Sequence, residues 1–435
     1  MLHGSETLNS YQPLRQRRNR AGHLRVLVSV DTQPSANPTS RAHQAQGAVR
    51  DTAPQHPTSA LKIIVIGAGQ AGLSAAQTLV RKGMEPFTDF IVLDANEGPG
   101  GAWRHRWPSL TLGKAHGIHD LPGLELGTPD PTEPASSVVS RYYGSYEDHF
   151  ELPVLRPFKV LAVTSVGAVG AERDVDADLV VTARNTATQE IQEWTTRAII
   201  NSTGTWDQPF WPYYPGIESF QGRQLHTKDY TSAQDFAGKR VLVVGGGASA
   251  VQFLLPLAEA GAHTLWSTRR APVFGEKIFD RNWGIDVERE VRARTEAGLP
   301  TISVVGTTGL ALTPEYQQGI DSGILISRGP LERIEPQGIV FAGVAKDQAI
   351  TTMPAWEGGF EQVDVILWAT GFKHALKHLT PLKLRSPHGG IATDGARVFA
   401  DPRVYLAGYG AGASTIGATR TGRVAGASAV KFVKN

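Results

Sequence analysis

Two short apolar runs in the chain are each followed by a glycine-rich turn and then by a segment with helical periodicity. The first run covers 62–66 and leads through the turn GAGQAG at 67–72 into a helical segment at 73–82. The second covers 240–244 and leads through the turn GGGASA at 245–250 into a helical segment at 251–260. Short apolar runs bounded by glycine are typical of buried parallel strands. Each unit is therefore predicted to be a strand, a tight turn and a helix.

The remaining pattern predicts an α/β protein in which one domain is inserted into another. β-Branched runs between polar turns predict a β-meander over 157–197, and a proline-rich segment at 205–215 predicts a linker into a second domain. We predict a polar, disordered tail at 1–60, a first domain at 61–204, a second domain at 205–328, and a return to the first domain at 329–435. Strands are predicted at 90–93, 160–166, 179–182, 198–201, 263–267, 323–327, 338–341, 363–368 and 404–407, and helices at 142–150 and 421–433.

The composition excludes several kinds of chemistry. The 435 residues include no cysteine, which excludes disulfides, thiolate catalysis and cysteine-bound metals. The whole chain has a net charge of +2 and residues 1–60 carry +4, so the rest carries 2 − 4 = −2. A nearly neutral body does not favour nucleic-acid binding. No apolar run approaches the roughly 20 residues that span a bilayer, and we expect a cytoplasmic protein. Whether residues 1–60 belong to the mature protein is left open.

The first glycine turn has the chemistry of a dinucleotide site. Glycines let backbone N–H groups approach a pyrophosphate, and the N-terminus of the following helix adds positive potential. A carboxylate at the end of the next strand, here Asp94, can bond the ribose hydroxyls. A solvated strand-end aspartate is the alternative interpretation. The predicted contacts of this site are Gly67, Gly69, Gln70, Ala71, Gly72 and Asp94.

The second glycine turn differs from the first in the residues that follow its next strand. Arg269 and Arg270 stand there in place of an acid. Guanidinium groups pair with a 2′-phosphate, so the pattern favours NADPH over NADH, although two exposed loop arginines are the alternative. Two dinucleotides in one chain indicate electron transfer between them. The predicted contacts of this site are Gly245, Gly247, Ala248, Ser249, Ala250, Arg269 and Arg270.

An ordered set of motifs resembles the flavin-containing monooxygenases and their Baeyer–Villiger and N-hydroxylating relatives over 61–435. After the first glycine turn, 100–103 (GGAW) is similar to the family's GGxW loop. Residues 220–230 are similar to its FxGxxxHSxxY fingerprint, with Thr227 in place of the serine, and 367–372 (LWATGF) is similar to its ATG strand end. The resemblance implies two Rossmann-like dinucleotide-binding domains, FAD in the first and NADPH in the second, inserted domain. It further implies cofactor-site positions for Gly101, Trp103, His226, Thr370 and Gly371.

The resemblance also implies a reaction. NADPH would reduce the flavin, dioxygen would add to give a flavin hydroperoxide, and a small organic substrate would be oxygenated at nitrogen or sulfur. Tyr230 followed by Thr231 stands where the Baeyer–Villiger subgroup has Trp-Pro, which favours oxygenation at a heteroatom. The flavin-facing asparagine of many relatives has no match in 109–116, so no catalytic residue is assigned.

Alternatives to heteroatom oxygenation stay open. They are Baeyer–Villiger oxygenation of a ketone, an NADPH-dependent flavin reductase or dehydrogenase with a non-thiol acceptor, and a non-catalytic nucleotide sensor. The histidines show no metal-binding spacing, so no metal site is predicted. Substrate identity and oligomeric state are not assigned.

Overall fold

The computed structural model describes residues 60–115, 118–167, 174–275, 281–301 and 310–435. The predicted tail at 1–60 lies outside these residues, apart from Ala60. The α-helices are α1 Gln70–Arg81, α2 Ala135–His149, α3 Ala248–Glu259, α4 Arg281–Glu296, α5 Pro314–Asp321 and α6 Thr415–Lys434.

The first sheet has the strand order β16-β17-β18-β6-β1-β2-β3, with β4 and β5 extending it through β6. From β18 to β3 neighbouring strands are parallel, whereas β4, β5 and the first part of β6 form the predicted antiparallel meander. The strands are β1 Leu61–Ile66, β2 Phe90–Leu93, β3 Val154–Leu155, β4 Phe158–Ser165, β5 Leu179–Asn185, β6 Ile191–Asn201, β16 Thr393–Asp394, β17 Arg397–Val398 and β18 Val404–Leu406.

Strand β1 lies at the centre of this sheet because its apolar side chains are covered on both faces. Ile63 and Val65 pack with helices α1, α2 and α6, whereas Ile64 and Ile66 pack on the side of the meander. Gly422 and Gly426 allow α6 to lie close against α1, because a Cβ at either position would meet an α1 carbonyl oxygen at 2.2 or 2.9 Å. The small-residue pattern of the last helix is therefore a packing feature.

The second sheet is parallel, with the order β7-β15-β8-β9. A separate antiparallel sheet, β12-β13-β14, packs against it through an apolar cluster that includes Leu242, Ile339 and Ile366. The strands are β7 Arg223–His226, β8 Arg240–Val244, β9 His263–Ser267, β12 Leu331–Glu335, β13 Gly338–Phe341, β14 Gly359–Gln362 and β15 Val365–Trp368; β10 Phe274–Gly275 pairs with β11 Leu310–Ala311.

Several sequence predictions are corrected by this topology. Residues 323–327 do not form a strand; the partner of β13 is β12, whose alternate residues Leu331 and Ile334 are buried. The predicted strand at 198–201 is the last part of β6. Helices α2 and α6 begin several residues earlier than predicted, and Ser414 caps α6 by accepting a hydrogen bond from the Gly417 N–H.

The sheet topology favours a return to the first domain later than the one predicted after residue 328. Strands β12 to β15 belong with the second sheet, because β15 is buried between β7 and β8. We place the return after Trp368. There, 369–376 runs beside the outgoing segment 204–210, and the Ala375 N–H donates to the Gly204 carbonyl at 3.0 Å. We call these two paired segments the crossover.

Candidate functional site

A cavity of about 930 Å³ lies at the carboxyl ends of β1, β2 and β6. This is the edge of a parallel sheet at which α/β proteins bind their ligands. Its size falls at the upper end of the ~300–1,000 Å³ of small-molecule and cofactor sites. Its wall includes six of the residues predicted from the sequence for the first nucleotide: Gly67, Gly69, Gln70, Ala71, Asp94 and Gly101. Trp103, the seventh, also lines it.

The first turn requires glycine for two different reasons. Gly67 has φ +100°, and a Cβ there would lie 2.7 Å from the Ser202 carbonyl oxygen. Gly72 does not line the cavity, because it faces the turn itself, and a Cβ would lie 1.8 Å from the Gly67 carbonyl oxygen. Gly72 therefore allows α1 to start against the strand, whereas Gly69 and Gln70 stand at the cavity wall. The structure gives Gly72 a packing role, and its contact with the nucleotide stays a prediction.

The GGAW loop lies directly on the first turn. Gly101 has φ +53°, and a Cβ at this position would meet the Gly69 Cα at 2.8 Å. Gly101 and Gly69 face each other without side chains. Their backbones therefore form a narrow polar cradle between the loop and the start of α1. Trp103 follows on the cavity wall. The sequence prediction that these residues lie together is consistent with this geometry.

Asp94 is held by neighbours that the sequence analysis did not single out. Arg156 donates from Nε to the Asp94 carboxylate at 3.1 Å, and Asn96 donates from Nδ2 at 3.2 Å. The two Nη groups of Arg156 donate to Glu147, each at 2.7 Å. Burial raises the pKa of Glu147. Burial opposes the charge of Arg156, but its bonds to Glu147 outweigh that effect and raise the Arg156 pKa. No spacing pattern in the sequence marks Arg156 as the partner of Asp94.

The second glycine turn follows β8, at the carboxyl edge of the second sheet. Gly245 has φ +138°, and a Cβ there would lie 2.2 Å from the Ala369 carbonyl oxygen. Gly247 has open space around it, and α3 begins at Ala248. Arg269 and Arg270 are exposed just after β9. Ser249 lies in the first turn of α3, and Ala250 is buried, so Ala250 packs in place of the third glycine. None of these residues lines the 930 Å³ cavity.

His226, Thr370 and Gly371 lie in or against the crossover. The His226 imidazole is fully buried, and its Nε2 donates to the Gly371 carbonyl at 3.0 Å. Burial lowers the pKa of His226. The Thr370 hydroxyl donates to the Phe210 carbonyl at 2.5 Å, and the Phe210 N–H donates to Gly371. None of the three predicted residues lines the cavity. In this structure all three hold the crossover, and their cofactor contacts stay a prediction.

Comparison with known proteins assigns the chain to a family. The profile described as "Pyridine nucleotide-disulphide oxidoreductase" matches residues 64–299, more than half of the chain. The chain belongs to this family. The chain has no cysteine, so it lacks the redox-active thiol pair to which the word "disulphide" in the family description refers.

Its relatives include several flavin monooxygenases. A flavin-containing monooxygenase from Stenotrophomonas maltophilia matches with a TM-score of 0.66 and 32% identity, over 86% of this chain and 99% of that chain. Indole-3-pyruvate monooxygenase YUCCA1 of Oryza sativa is 28% identical over 71% of this chain and 76% of its own length. The "Uncharacterized oxidoreductase CzcO" of Bacillus subtilis is 30% identical over 72% of this chain and 81% of its own length. The protein is a flavin-dependent monooxygenase with FAD and NADPH as cofactors, which confirms the predicted family, fold class and cofactors.

The geometry of the cavity fits bound FAD. Backbone free of side chains at Gly67, Gly69 and Gly101 forms the cradle that a pyrophosphate needs, and Asp94 stands at the neighbouring strand end. Among the described residues, no helix is long and apolar enough to cross a membrane. Within the same part of the chain, no group of three or more acidic or histidine side chains is placed to hold a metal ion.

Two further side chains of this flavin monooxygenase line the cavity and were missed at the level of sequence. His378 is buried and its Nε2 donates to Asn201 Oδ1 at 2.7 Å; burial lowers its pKa to about 4. Arg106 lies among three tryptophan rings, and burial lowers its pKa to about 10. The segment 103–107 (WRHRW) carried a signal, since it alternates aromatic and basic residues directly after the GGxW glycines. His378 lies in a segment without any such pattern.

Proposed function

We propose that this flavin monooxygenase inserts one oxygen atom of dioxygen at nitrogen or sulfur of a small organic substrate. The observation that carries the proposal is the cavity itself, which runs from the first glycine turn to the crossover and is walled by Trp103, Trp206 and the neutral His378. This wall is largely aromatic at the crossover end, where Asp207 is its one carboxylate among the described residues. This suits a reaction in which shielding matters more than proton transfer.

The cofactor contacts are part of the proposal. Backbone N–H groups at Gly69, Gln70 and Ala71 would hold the FAD pyrophosphate, and Asp94, oriented by Arg156, would accept from the adenosine ribose. When bound, FAD supplies hydride acceptance and oxygen activation. Gly101 would provide the close backbone approach beside it, and Trp103 would cover its apolar part.

The second turn would bind NADPH in the same way. Gly245 permits the tight turn, Gly247 leaves the open space that a pyrophosphate needs, and the backbone of Ala248 and Ser249 opens the helix N-terminus toward it. Arg269 and Arg270, exposed beyond β9, would pair with the 2′-phosphate.

The choice of nitrogen or sulfur over a carbonyl carbon rests on the fingerprint end. Tyr230 is buried in an aromatic cluster with Trp107, Phe236 and Phe253, at ring-centroid distances of 5.5, 5.8 and 4.4 Å. Burial raises the pKa of Tyr230 to about 12. This cluster joins the segment after Trp103 to the second domain. Its composition differs from the Trp-Pro of the Baeyer–Villiger subgroup, which supports heteroatom oxygenation.

The absence of cysteine suits the reducing cytoplasm, which we propose as the location.

The test is a coupling assay on the FAD-loaded protein. NADPH oxidation is measured with a tertiary amine, a thioether and a ketone of similar size, together with oxygenated product and hydrogen peroxide. We expect product from the amine or thioether in near-equal amount to NADPH consumed. Ester formation from the ketone alone would indicate Baeyer–Villiger chemistry. Peroxide alone, or electron delivery to an added quinone, would indicate a reductase, and flavin binding without NADPH oxidation would indicate a sensor.

A further inference from the structure

Arg106 is a cation on the cavity wall, and none of the described residues gives it an anionic partner. Its Cζ lies 4.5 Å from the ring centroid of Trp206, 5.7 Å from that of Trp103 and 6.0 Å from that of Trp107. No described residue accepts a hydrogen bond from its guanidinium, and its buried Nε lacks any acceptor. The protein therefore surrounds this charge with aromatic rings and leaves its hydrogen-bonding capacity unused.

Aromatic neighbours of this kind stabilise a guanidinium without consuming its N–H groups. Ring faces attract the cation, and they hold its plane in a fixed orientation. The terminal N–H groups stay available for an oxyanion, which a guanidinium binds through two parallel hydrogen bonds. A buried cation without an anion is costly, so a ligand that supplies the anion gains the full benefit of the preformed site. The chemistry of Arg106 thus points to a carboxylate or a phosphate.

The position of Arg106 separates it from the proposed phosphate contacts. Trp206 lies in the outgoing segment of the crossover, and Trp107 packs on Tyr230 and Phe253 of the second domain. Arg106 therefore stands at the end of the cavity where the two domains meet. The FAD pyrophosphate is assigned to the first turn, and the 2′-phosphate of NADPH to the arginines beyond β9. Neither assignment uses Arg106, which leaves it for the molecule that enters beside both cofactors.

We propose that Arg106 binds the carboxylate of the organic substrate, whose apolar body lies against Trp103 and Trp206. The inference rests on the proposed function and narrows it to acidic amines or thioethers with an aromatic or other apolar part. Arg106 sets substrate specificity in this scheme and takes no part in the oxygen transfer. The other source of an oxyanion at this point is the phosphate on the nicotinamide side of NADPH, which the experiment separates from a substrate carboxylate.

The experiment compares a thioether acid with its amide on the FAD-loaded protein. The probes are 3-(phenylthio)propanoate and 3-(phenylthio)propanamide, titrated calorimetrically with NADP⁺ present. We expect the wild type to bind the acid more tightly, and Arg106→Gln to lose roughly ten- to hundredfold in affinity for the acid alone. Arg106→Lys should restore part of the loss, which separates charge from packing. The matched control is Arg104→Gln, which removes an exposed arginine of the same loop that does not line the cavity.

Each other outcome would overturn the inference. Equal or undetectable binding of the acid by the wild type would do so, as would an unchanged preference in Arg106→Gln. A raised KM for NADPH with unchanged binding of the acid would assign Arg106 to the nucleotide phosphate. Anaerobic reduction of the bound FAD by NADPH without any probe, followed by the flavin absorbance, tests the proposed function separately. Failure of this reduction in the wild type would reject the oxidoreductase activity, while the calorimetric comparison still decides the role of Arg106.

Discussion

Mild acid should destabilise this protein through His378, a neutral histidine on the cavity wall. Its imidazole is buried and donates from Nε2 to Asn201, and burial lowers its pKa from the ordinary 6.5 to about 4. Between these two values the unfolded chain binds a proton that the folded chain does not. Stability therefore rises with pH across this interval, and it is lost as the pH falls from about 6.5 toward 4.

The size of the effect follows from the two pKa values. At about pH 5 the unfolded state is almost fully protonated at this residue and the folded state is mostly neutral. The difference corresponds to about 2 kcal/mol of lost stability relative to pH 7.5. The pKa of His374 is also lowered to about 4, first by burial and then by the charge of Arg385. His374 therefore adds a second loss of stability of similar size at about pH 5.

The assay is urea unfolding of the FAD-loaded protein at both pH values, for the wild type and for His378→Gln. Glutamine can still donate to Asn201 but does not titrate, so the variant should lose about half of the histidine-linked destabilisation. His374→Gln is the matched variant for the other group. If His378→Gln kept the full difference between the two pH values, the argument from burial would be refuted.

Three other changes test the nucleotide sites. Gly67→Ala should abolish FAD retention, measured as flavin content after gel filtration, because Gly67 has a φ of +100° and a Cβ there would clash with backbone. The control is Gly261→Ala, which should retain flavin because Gly261, at φ +83°, has open space around it. Replacing both Arg269 and Arg270 by Gln should raise the KM for NADPH roughly tenfold or more and leave that for NADH unchanged, measured by steady-state oxidation. Arg156→Met should weaken FAD binding and lower the free energy of unfolding by about 3 kcal/mol, measured by flavin titration and urea unfolding, since it leaves buried carboxylates unpaired.

These changes have controls and contradicting results. Arg141 lies on the same helix as Glu147 and forms an exposed ion pair with Glu133, which precedes the helix. Arg141→Met should therefore change stability by less than about 1 kcal/mol. Full flavin content in Gly67→Ala, or parallel loss of NADH use in the double arginine variant, would contradict the assignments. Unchanged flavin affinity in Arg156→Met would show that Asp94 needs no orienting partner.

The two nucleotide units could be predicted from sequence because their information is local. Strands β8 and β9 occupy the predicted residues. The first glycine of each turn, Gly67 or Gly245, has the positive φ angle and the close backbone contact that explain it. A local pattern does not show which distant strand or helix each element will pack against. The strand predicted at 323–327 failed because β12, with exposed Glu332 and Arg333 between its buried residues, has a mixed polarity that conceals its pairing.

The missed site residues have the same cause. His378 faces the cavity because it bonds to Asn201, which is 177 positions away in the chain, and Arg106 depends on Trp206 from the far side of β6. Arg156 reaches Asp94 over 62 positions. In each case the residue reaches the site through a contact that forms only when separate strand ends meet. Spacing within one motif therefore predicts the glycine cradle. It does not predict the side chains that line the cradle, because the topology of the sheet brings them there.

The crossover shows how one such set of contacts determines the relation of the two nucleotide sites. His226 at the end of β7 bonds to Gly371, which follows β15, and the same carbonyl accepts from Phe210 on the outgoing segment. Gly245 begins the second turn against the Ala369 carbonyl, one residue beyond β15. The fingerprint histidine thus fixes the segment on which the second turn rests. The fingerprint histidine therefore specifies a structural contact. It places a buried imidazole that bonds to the backbone of the crossover between the two sheets.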